Sequence, residues 1–255
     1  MNGTASDREW LGGLLVIIPA FNEEESLGPL LRELRLALPD VAALVISDGS
    51  RDNTRAVAAA HGVKVLDIPC NLGVGGAVQA GFQYAVRHGY AHVVRIDADG
   101  QHPPAEIPKL IAAIREGDAD LVIGARFGGL SQRVSTRIRY FGIRALALFL
   151  SRICRSRVTD PTSGFWLLKR PLLDYFAAYY PAEYPEPEAL ALMRRQGYAF
   201  REVQVTFRPR MAGHSSIHSW GTVYYAIKVG LALVVDRVRV VNRRFEKGNL
   251  SRART

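Results

Sequence analysis

The sequence predicts an α/β fold, a mainly parallel sheet flanked by helices. Short apolar runs, of the kind found in strands buried on both faces, alternate with amphipathic helical segments between residues 14 and 124. Each run ends in a loop carrying Asp, Asn, Glu or Gly, as strand-to-helix turns do. The composition is globular: 48% hydrophobic and 22% charged over 255 residues, enough for one large domain or two small ones with a sizeable core.

The first strand is read at residues 14–18, Leu-Leu-Val-Ile-Ile. A helix follows at 24–38, with Leu27, Leu30, Leu31, Leu34 and Leu38 at helical spacing and Pro39 as its stop. Residues 43–47 form a second strand, 54–61 a short helix with Gly62 as C′, and 63–68 a third strand. A helix at 75–88 ends at Gly89, and 92–96 is a fourth strand. Pro103-Pro104 opens a helix at 105–116, and 121–124 is a fifth strand. Residues 136–154 read as one long helix, with Arg133, Arg137, Arg144, Arg152 and Arg155 on one stripe. Ile138, Ala145, Leu146, Phe149, Leu150 and Ile153 fall on its other side. Strands at 165–168 and 200–205 and a basic-ended amphipathic helix at 222–243 complete the chain, with no repeat or low-complexity linker.

The two cysteines, Cys70 and Cys154, exclude a disulfide scaffold and a CxxC motif, so a reducing compartment is expected. No secretory signal is evident, and the most apolar helix, 220–235, is interrupted by Lys228 and ended by Asp236. The chain is expected to be soluble or to lie on a membrane. The formal net charge of +9 is concentrated: residues 131–157 carry +7 without one acid, and residues 236–255 carry +5. Such segments suit an anionic partner, whether phosphate, a membrane surface or nucleic acid. No RNP, helix-turn-helix or zinc pattern supports the nucleic acid.

In open parallel sheets, ligands bind outside the carboxyl ends of the strands. Those ends carry Pro19-Ala-Phe-Asn-Glu23, Ser47-Asp-Gly-Ser50, Asn71-Leu-Gly-Val-Gly-Gly76 and Asp97-Ala-Asp-Gly-Gln-His102. Carboxylates with a glycine-rich loop suit a nucleotide bound with a divalent metal. Asp97 and Asp99, two residues apart at a strand end, can reach one hard cation completed by diphosphate oxygens; the plainer reading is an acidic turn before Pro104. Asp48 suits either a base or ribose contact or a turn. Gly73, Gly75 and Gly76 lack the G-x-G-x-x-G spacing, which leaves helix packing and phosphate binding equally open. His102 and His214 are candidates by neighbourhood only.

Together, Ile18-Pro-Ala-Phe-Asn-Glu-Glu24, Ser47-Asp-Gly-Ser-Arg-Asp-Asn-Thr54, Asp97-Ala-Asp-Gly-Gln-His-Pro-Pro104 and Asp160-Pro-Thr-Ser-Gly-Phe165 resemble the family 2 inverting glycosyltransferases of the GT-A (Rossmann-like) fold. The branch is that of the dolichyl- and polyprenyl-phosphate glycosyltransferases, including the dolichyl-phosphate mannosyltransferases. The resemblance covers roughly residues 14–217. It implies a catalytic domain at 1–217 and a basic, amphipathic extension at 218–255. It further implies that Pro19, Ala20, Asn22, Glu23, Asp48, Asp97, Ala98 and Gln101 bind the nucleotide sugar, with Asp97, Asp99 and Gln101 around Mg²⁺ or Mn²⁺. Asp160, Asp99 and Arg126 are the implied catalytic residues, Asp160 as candidate base. Ser135, Arg137, Arg139 and Arg210 are the implied contacts to the acceptor phosphate. One departure stands out: Ser216 occupies a position where a lysine is common.

The implied reaction is transfer of a sugar from a UDP- or GDP-linked donor to a polyprenyl phosphate at the cytoplasmic face of an anionic membrane, by a peripheral enzyme, with an oligomer compatible with the reading. The alternative is a soluble family 2 enzyme with a hydroxyl acceptor. A phosphate monoester, with a second pKa of about 6, is already largely ionised at neutral pH and hardly needs a base; a hydroxyl does.

Overall fold

The computed structural model describes residues 5–126 and 137–210. An N-terminal helix α1 (Ala5–Gly12) precedes strand β1 (Leu14–Ala20), α2 (Glu24–Ala37), β2 (Ala42–Asp48), α3 (Thr54–Ala60), β3 (Lys64–Ile68) and α4 (Gly73–Arg87). Then follow β4 (His92–Arg95), a 3₁₀ turn at Pro104–Glu106, α5 (Ile107–Glu116) and β5 (Leu121–Ala125). The last described elements are α6 (Arg137–Cys154), β6 (Trp166–Lys169), α7 (Arg170–Ala178), α8 (Pro185–Arg195) and β7 (Phe200–Gln204).

The strands form one seven-stranded sheet in the order β3-β2-β1-β4-β6-β5-β7. All pairings are parallel except those of β6, which runs antiparallel to both β4 and β5. The chain winds outward from β1 through β2 to β3, then returns to place β4 on the other side of β1. The order therefore reverses between β1 and β4, which opens a crevice at their carboxyl ends.

The continuous apolar run of β1 has two destinations. Leu15 and Ile17 enter a core with α4, α7 and α8, while Leu14, Val16 and Ile18 enter a second core with α2 and α5. Successive strand side chains point to opposite faces, so a strand covered on both faces must be apolar throughout.

Among the described residues, the elements expected from the sequence are present, with ends shifted by one or two residues. Gly62 and Gly89 adopt positive φ (70° and 78°), closing α3 and α4 as expected. On α6, Leu146, Leu150 and Cys154 are buried, and Arg144 and Arg152 are exposed. Ala145, expected on the apolar side, is exposed instead. The buried stripe is narrow because α6 packs on α8 at one edge, where Arg194 Nε donates to the Cys154 carbonyl at 3.0 Å. Three helices, α1, α7 and α8, were not expected. Pro171, Pro185 and Pro187 sit in the first turns of α7 and α8, where proline is tolerated. The predicted helix at 222–243, the extension at 218–255 and the segment holding Ser135 lie outside the described residues.

Candidate active site

The loops after β1 and β2 are laced together by their backbones. Asn22 adopts φ 54°, a left-handed conformation that Asn tolerates better than most residues. There its Oδ1 accepts the Arg51 N–H at 2.8 Å, and its own N–H donates to Ser50 Oγ at 3.2 Å. The Glu23 N–H donates to Thr54 Oγ1 at 2.8 Å, and Asp52 accepts the Glu24 and Thr54 N–H groups. Ser26 Oγ donates to the Glu23 carboxylate at 2.5 Å. Burial nevertheless raises the Glu23 pKa above its ordinary value. Pro19 and Ala20 end β1 in register with Ile46 and Ser47, forming the crevice floor.

Asp48 ends β2 buried, and its Oδ1 accepts the Leu72 N–H at 2.7 Å. Gly49 follows at φ 69°, where a Cβ would lie 2.7 Å from the Asn71 nitrogen, so only glycine lets the two loops close. Gly75 is also a packing glycine: a Cβ there would overlap the Pro181 carbonyl. That settles one open alternative for Gly75 in favour of packing.

Beyond β4 the chain turns sharply, with Gly100 at φ 77°. His102 folds back, and its Nδ1 accepts the Asp97 N–H at 3.0 Å. The ring stacks on Phe165, and burial pushes its pKa down to about 4, so it is neutral at physiological pH. His102 is a structural residue of the turn. Burial opposes ionisation of Asp97, but the His102 ring and the Arg95 and Arg210 guanidinium groups outweigh it and hold the pKa below the ordinary value. Asp99 lies differently: burial and the nearby Asp97 charge push its pKa up to about 6. Its Oδ1 accepts the Gln101 N–H at 3.0 Å, and Arg210 reaches its Oδ2 at 3.0 Å. Gln101 thus enters through its backbone, which also accepts the Arg208 N–H at 3.1 Å. Ala98 is buried in the core beside α2 and α5, so only its backbone faces a ligand.

Among the described residues no group of three or more His, Cys, Asp or Glu is placed to hold a metal. Asp97 and Asp99 offer two carboxylates at one turn, and burial, with the Asp97 charge after it, raises the pKa of Asp99 alone of the two. Mg²⁺ and Mn²⁺ are commonly held by one or two carboxylates completed by substrate phosphates, so this donor set fits such an ion.

A second charged station lies after β5. Arg126 grips Asp160 bidentately, Nε to Oδ2 at 2.7 Å and a terminal nitrogen to Oδ1 at 3.0 Å. The Arg126 N–H adds a bond to Oδ2 at 3.2 Å, and Thr162 Oγ1 approaches Oδ1 at 3.3 Å. The Arg126 guanidinium lies 4.7 Å from the Phe207 ring centroid. Asp160 is itself fixed by Glu202 of β7, which accepts the Asp160 N–H at 3.2 Å and the Thr159 hydroxyl at 2.6 Å.

The structure therefore brings Pro19, Ala20, Asn22, Glu23, Asp48, Asp97, Ala98, Asp99, Gln101, Arg126, Asp160 and Arg210 to one edge of the sheet. Arg137 and Arg139 begin α6. The sequence reading missed Arg95, Tyr180, Glu186 and Glu202. An arginine inside an otherwise apolar strand, Val93-Val-Arg-Ile96, was the available signal, since a buried charge demands a partner.

Comparison with known proteins agrees with this geometry. The profile of "Glycosyl transferase family 2" matches residues 15–176. Polyprenol monophosphomannose synthase of Mycolicibacterium smegmatis is 35% identical, over 90% of this chain and 91% of that protein. Undecaprenyl-phosphate mannosyltransferase of Micrococcus luteus is 34% identical, over 78% of this chain and 79% of that protein. Glucosyl-3-phosphoglycerate synthase of Mycobacterium tuberculosis, solved with Mn²⁺, uridine diphosphate and glucosyl-3-phosphoglycerate, superposes with a TM-score of 0.69. At 23% identity, covering 93% of this chain and 85% of that one, it shows the shared GT-A fold. A profile spanning well over half the chain, and a near-full-length relative, show that the chain belongs to glycosyl transferase family 2 and is a glycosyltransferase.

Proposed function

We propose that this enzyme transfers a sugar from a nucleotide-sugar donor to a polyprenyl phosphate, with inversion at the anomeric carbon and dependence on Mg²⁺ or Mn²⁺. The observation that carries the reading is the state of Asp160. Its carboxylate accepts from the Arg126 guanidinium, the Arg126 N–H and the Thr162 hydroxyl, so both of its oxygens are engaged in holding the arginine. A site whose candidate base is committed to holding an arginine suits an acceptor already ionised at neutral pH, as a phosphate monoester is. The names of the mycobacterial and micrococcal relatives, both polyprenyl-phosphate mannosyltransferases, support the same acceptor and favour mannose as the first sugar to test.

In this reading the loops of Asn22, Glu23 and Asp48 hold the nucleotide, with Pro19, Ala20 and Ala98 shaping its floor. Asp97 and Asp99, with Gln101 beside them, hold the divalent cation, which when bound neutralises charge on the departing diphosphate. Arg126, kept in place by Asp160, and Arg210 orient the acceptor phosphate through charge-assisted hydrogen bonds. A phosphate oxygen attacks the anomeric carbon as the nucleoside diphosphate leaves from the opposite side, so the carbon inverts. Ser135, Arg137 and Arg139, at or before the start of α6, extend the phosphate site. The basic face of α6 then meets an anionic membrane surface on the cytoplasmic side. Among the described residues no helix is long and apolar enough to cross a membrane.

The test is a donor-by-acceptor assay: UDP- and GDP-linked sugars with Mg²⁺ or Mn²⁺, with and without polyprenyl phosphate, reading nucleoside diphosphate and lipid product. Product that requires both lipid and metal is expected. Turnover onto a soluble hydroxyl acceptor, with indifference to the lipid phosphate, would overturn the reading.

A further inference from the structure

Beneath the cation site lies a group of charges that no part of the proposed reaction uses. Arg95, the last residue of β4, is 2% exposed. Its guanidinium lies between two carboxylates: one terminal nitrogen is 2.8 Å from Glu186 Oε1 and 3.3 Å from Asp97 Oδ1. The other donates to the Tyr180 hydroxyl at 3.4 Å. Space for it is made by Gly164, where a Cβ would sit 2.8 Å from the same terminal nitrogen. Glu186 stands in the first turn of α8, and Tyr180 begins the segment that leads there. The following residues, Pro181 and Ala182, pack on Gly75 at the start of α4. One segment therefore touches both the floor of the cation site and the helix beside the nucleotide loops.

We propose that Arg95 and Glu186 form a positioning pair for Asp97, in which Glu186 draws the guanidinium toward itself and so leaves the Asp97 carboxylate available to a divalent cation. The distances carry the argument. The guanidinium is closer to Glu186 than to Asp97, so its ion pair with Asp97 is the longer of the two and rests on a single oxygen, Oδ1. The second oxygen, Oδ2, remains on the side of His102, whose unprotonated Nδ1 is already engaged with the Asp97 backbone. Without the Glu186 charge, Arg95 has one acidic partner left. It would close on Asp97, and a metal would then compete with a buried cation for the same carboxylate. Partners one shell behind a metal ligand commonly change affinity by about 10–100-fold.

This inference rests on Asp97 being a cation ligand, so the experiment must separate the two claims. Mn²⁺ binding is measured on the full chain by loss of the free-ion paramagnetic signal, with UDP and with GDP, and nucleotide binding is measured without metal. Glu186→Gln is expected to weaken Mn²⁺ about tenfold, with metal-free nucleotide binding unchanged and Glu186→Asp restoring most of the loss. Tyr180→Phe, which removes one neutral contact to the guanidinium, is expected to weaken Mn²⁺ by about two- to threefold and keeps the test decisive if Glu186→Gln does not fold. Asp97→Asn is the reference. Mn²⁺ binding lost in Asp97→Asn but unchanged in the Glu186 and Tyr180 variants overturns the positioning pair alone. Mn²⁺ binding unchanged in Asp97→Asn overturns the reading beneath it.

Discussion

Two arginine–carboxylate contacts lie along the same edge of the sheet and do different work. Arg95 is enclosed, 2% exposed, with carboxylates from two distant parts of the chain. Arg126 is 37% exposed and holds one buried carboxylate with good bidentate geometry. The chemistry of the two contacts is the same, and the surroundings decide what each can do. Burial opposes the charge on Arg95, and Glu186 and Asp97 outweigh it, holding the guanidinium firmly protonated. An enclosed cation of that kind can act only on its neighbours. Arg126 offers part of its guanidinium to solvent while Asp160 fixes its direction, the arrangement a phosphate-binding group requires.

The largest effect that would break this comparison lies at Asp99, a proposed cation ligand. Asp99→Ala is expected to lower metal-dependent turnover by at least about 1,000-fold, since both a cation ligand and transition-state charge compensation are lost. Stability should not fall. Burial and Asp97 already disfavour the Asp99 charge, as its pKa of about 6 records. Turnover with unchanged metal dependence in this variant would remove Asp99 from the site.

Next, Arg95→Met and Arg126→Lys set the two arginines against each other. Arg95→Met removes a buried cation shared by two partly buried acids, Asp97 and Glu186, and should cost about 3–5 kcal/mol of stability, seen in urea unfolding. Arg126→Lys keeps the charge but loses the fork on Asp160, so it should lower the unfolding midpoint less than Arg95→Met does. It should lower acceptor kcat/KM by about 10–100-fold, through roughly 1.5–3 kcal/mol of lost charge-assisted bonding. If the two variants exchanged these effects, the contrast between an enclosed and an open arginine would fail.

The smallest effect comes from the amino end of the same strand. His92 stacks on Trp10 with ring centroids 4.4 Å apart, and its Nδ1 is buried without a hydrogen-bond partner among the described residues. Burial, aided by Lys169, pushes its pKa down to about 4. The unfolded chain takes up this proton near the ordinary value of about 6.5 and the folded chain does not. Stability is therefore full above about pH 6.5 and falls as pH drops toward 4. At pH 5 the penalty should be about 1–2 kcal/mol after allowance for partial exposure. His92→Phe, which keeps the stack, should show a smaller loss of unfolding free energy between pH 7 and pH 5 than the parent. An equal loss in both would place the acid sensitivity elsewhere.

How much of this was legible in the sequence depends on the range of the interaction. The strands β1 and β5 announce themselves because burial on both faces makes each apolar throughout, and β2 is apolar up to Ser47; β4 shows only Val93 and Val94 between His92 and Arg95. The carboxylates of the site were legible for a related reason: they are polar residues placed immediately after such runs. Helices α7 and α8 carry opening prolines as α5 does, a first-turn signal available in the sequence and applied only to α5. Glu186 could not be assigned to Arg95 across 91 positions of chain, although an arginine between Val94 and Ile96 was a demand for some such partner. The commitment of Asp160 to Arg126 was likewise invisible, because a carboxylate reads the same in sequence whether it is free to take a proton or already occupied.

The short stretch from Asp160 to Gly164 has one more consequence. Its first residue holds Arg126, and its last gives way to Arg95. Four peptide links join them, a reach of at most about 14 Å. The stretch therefore works as a gauge block: the separation between Arg95 under the proposed cation site and the arginine after β5 is limited by covalent length and is not left to side-chain adjustment alone. An in-line displacement needs attacking and leaving atoms at a fixed spacing, so a single residue inserted between 160 and 164 should harm the enzyme more than many substitutions within it.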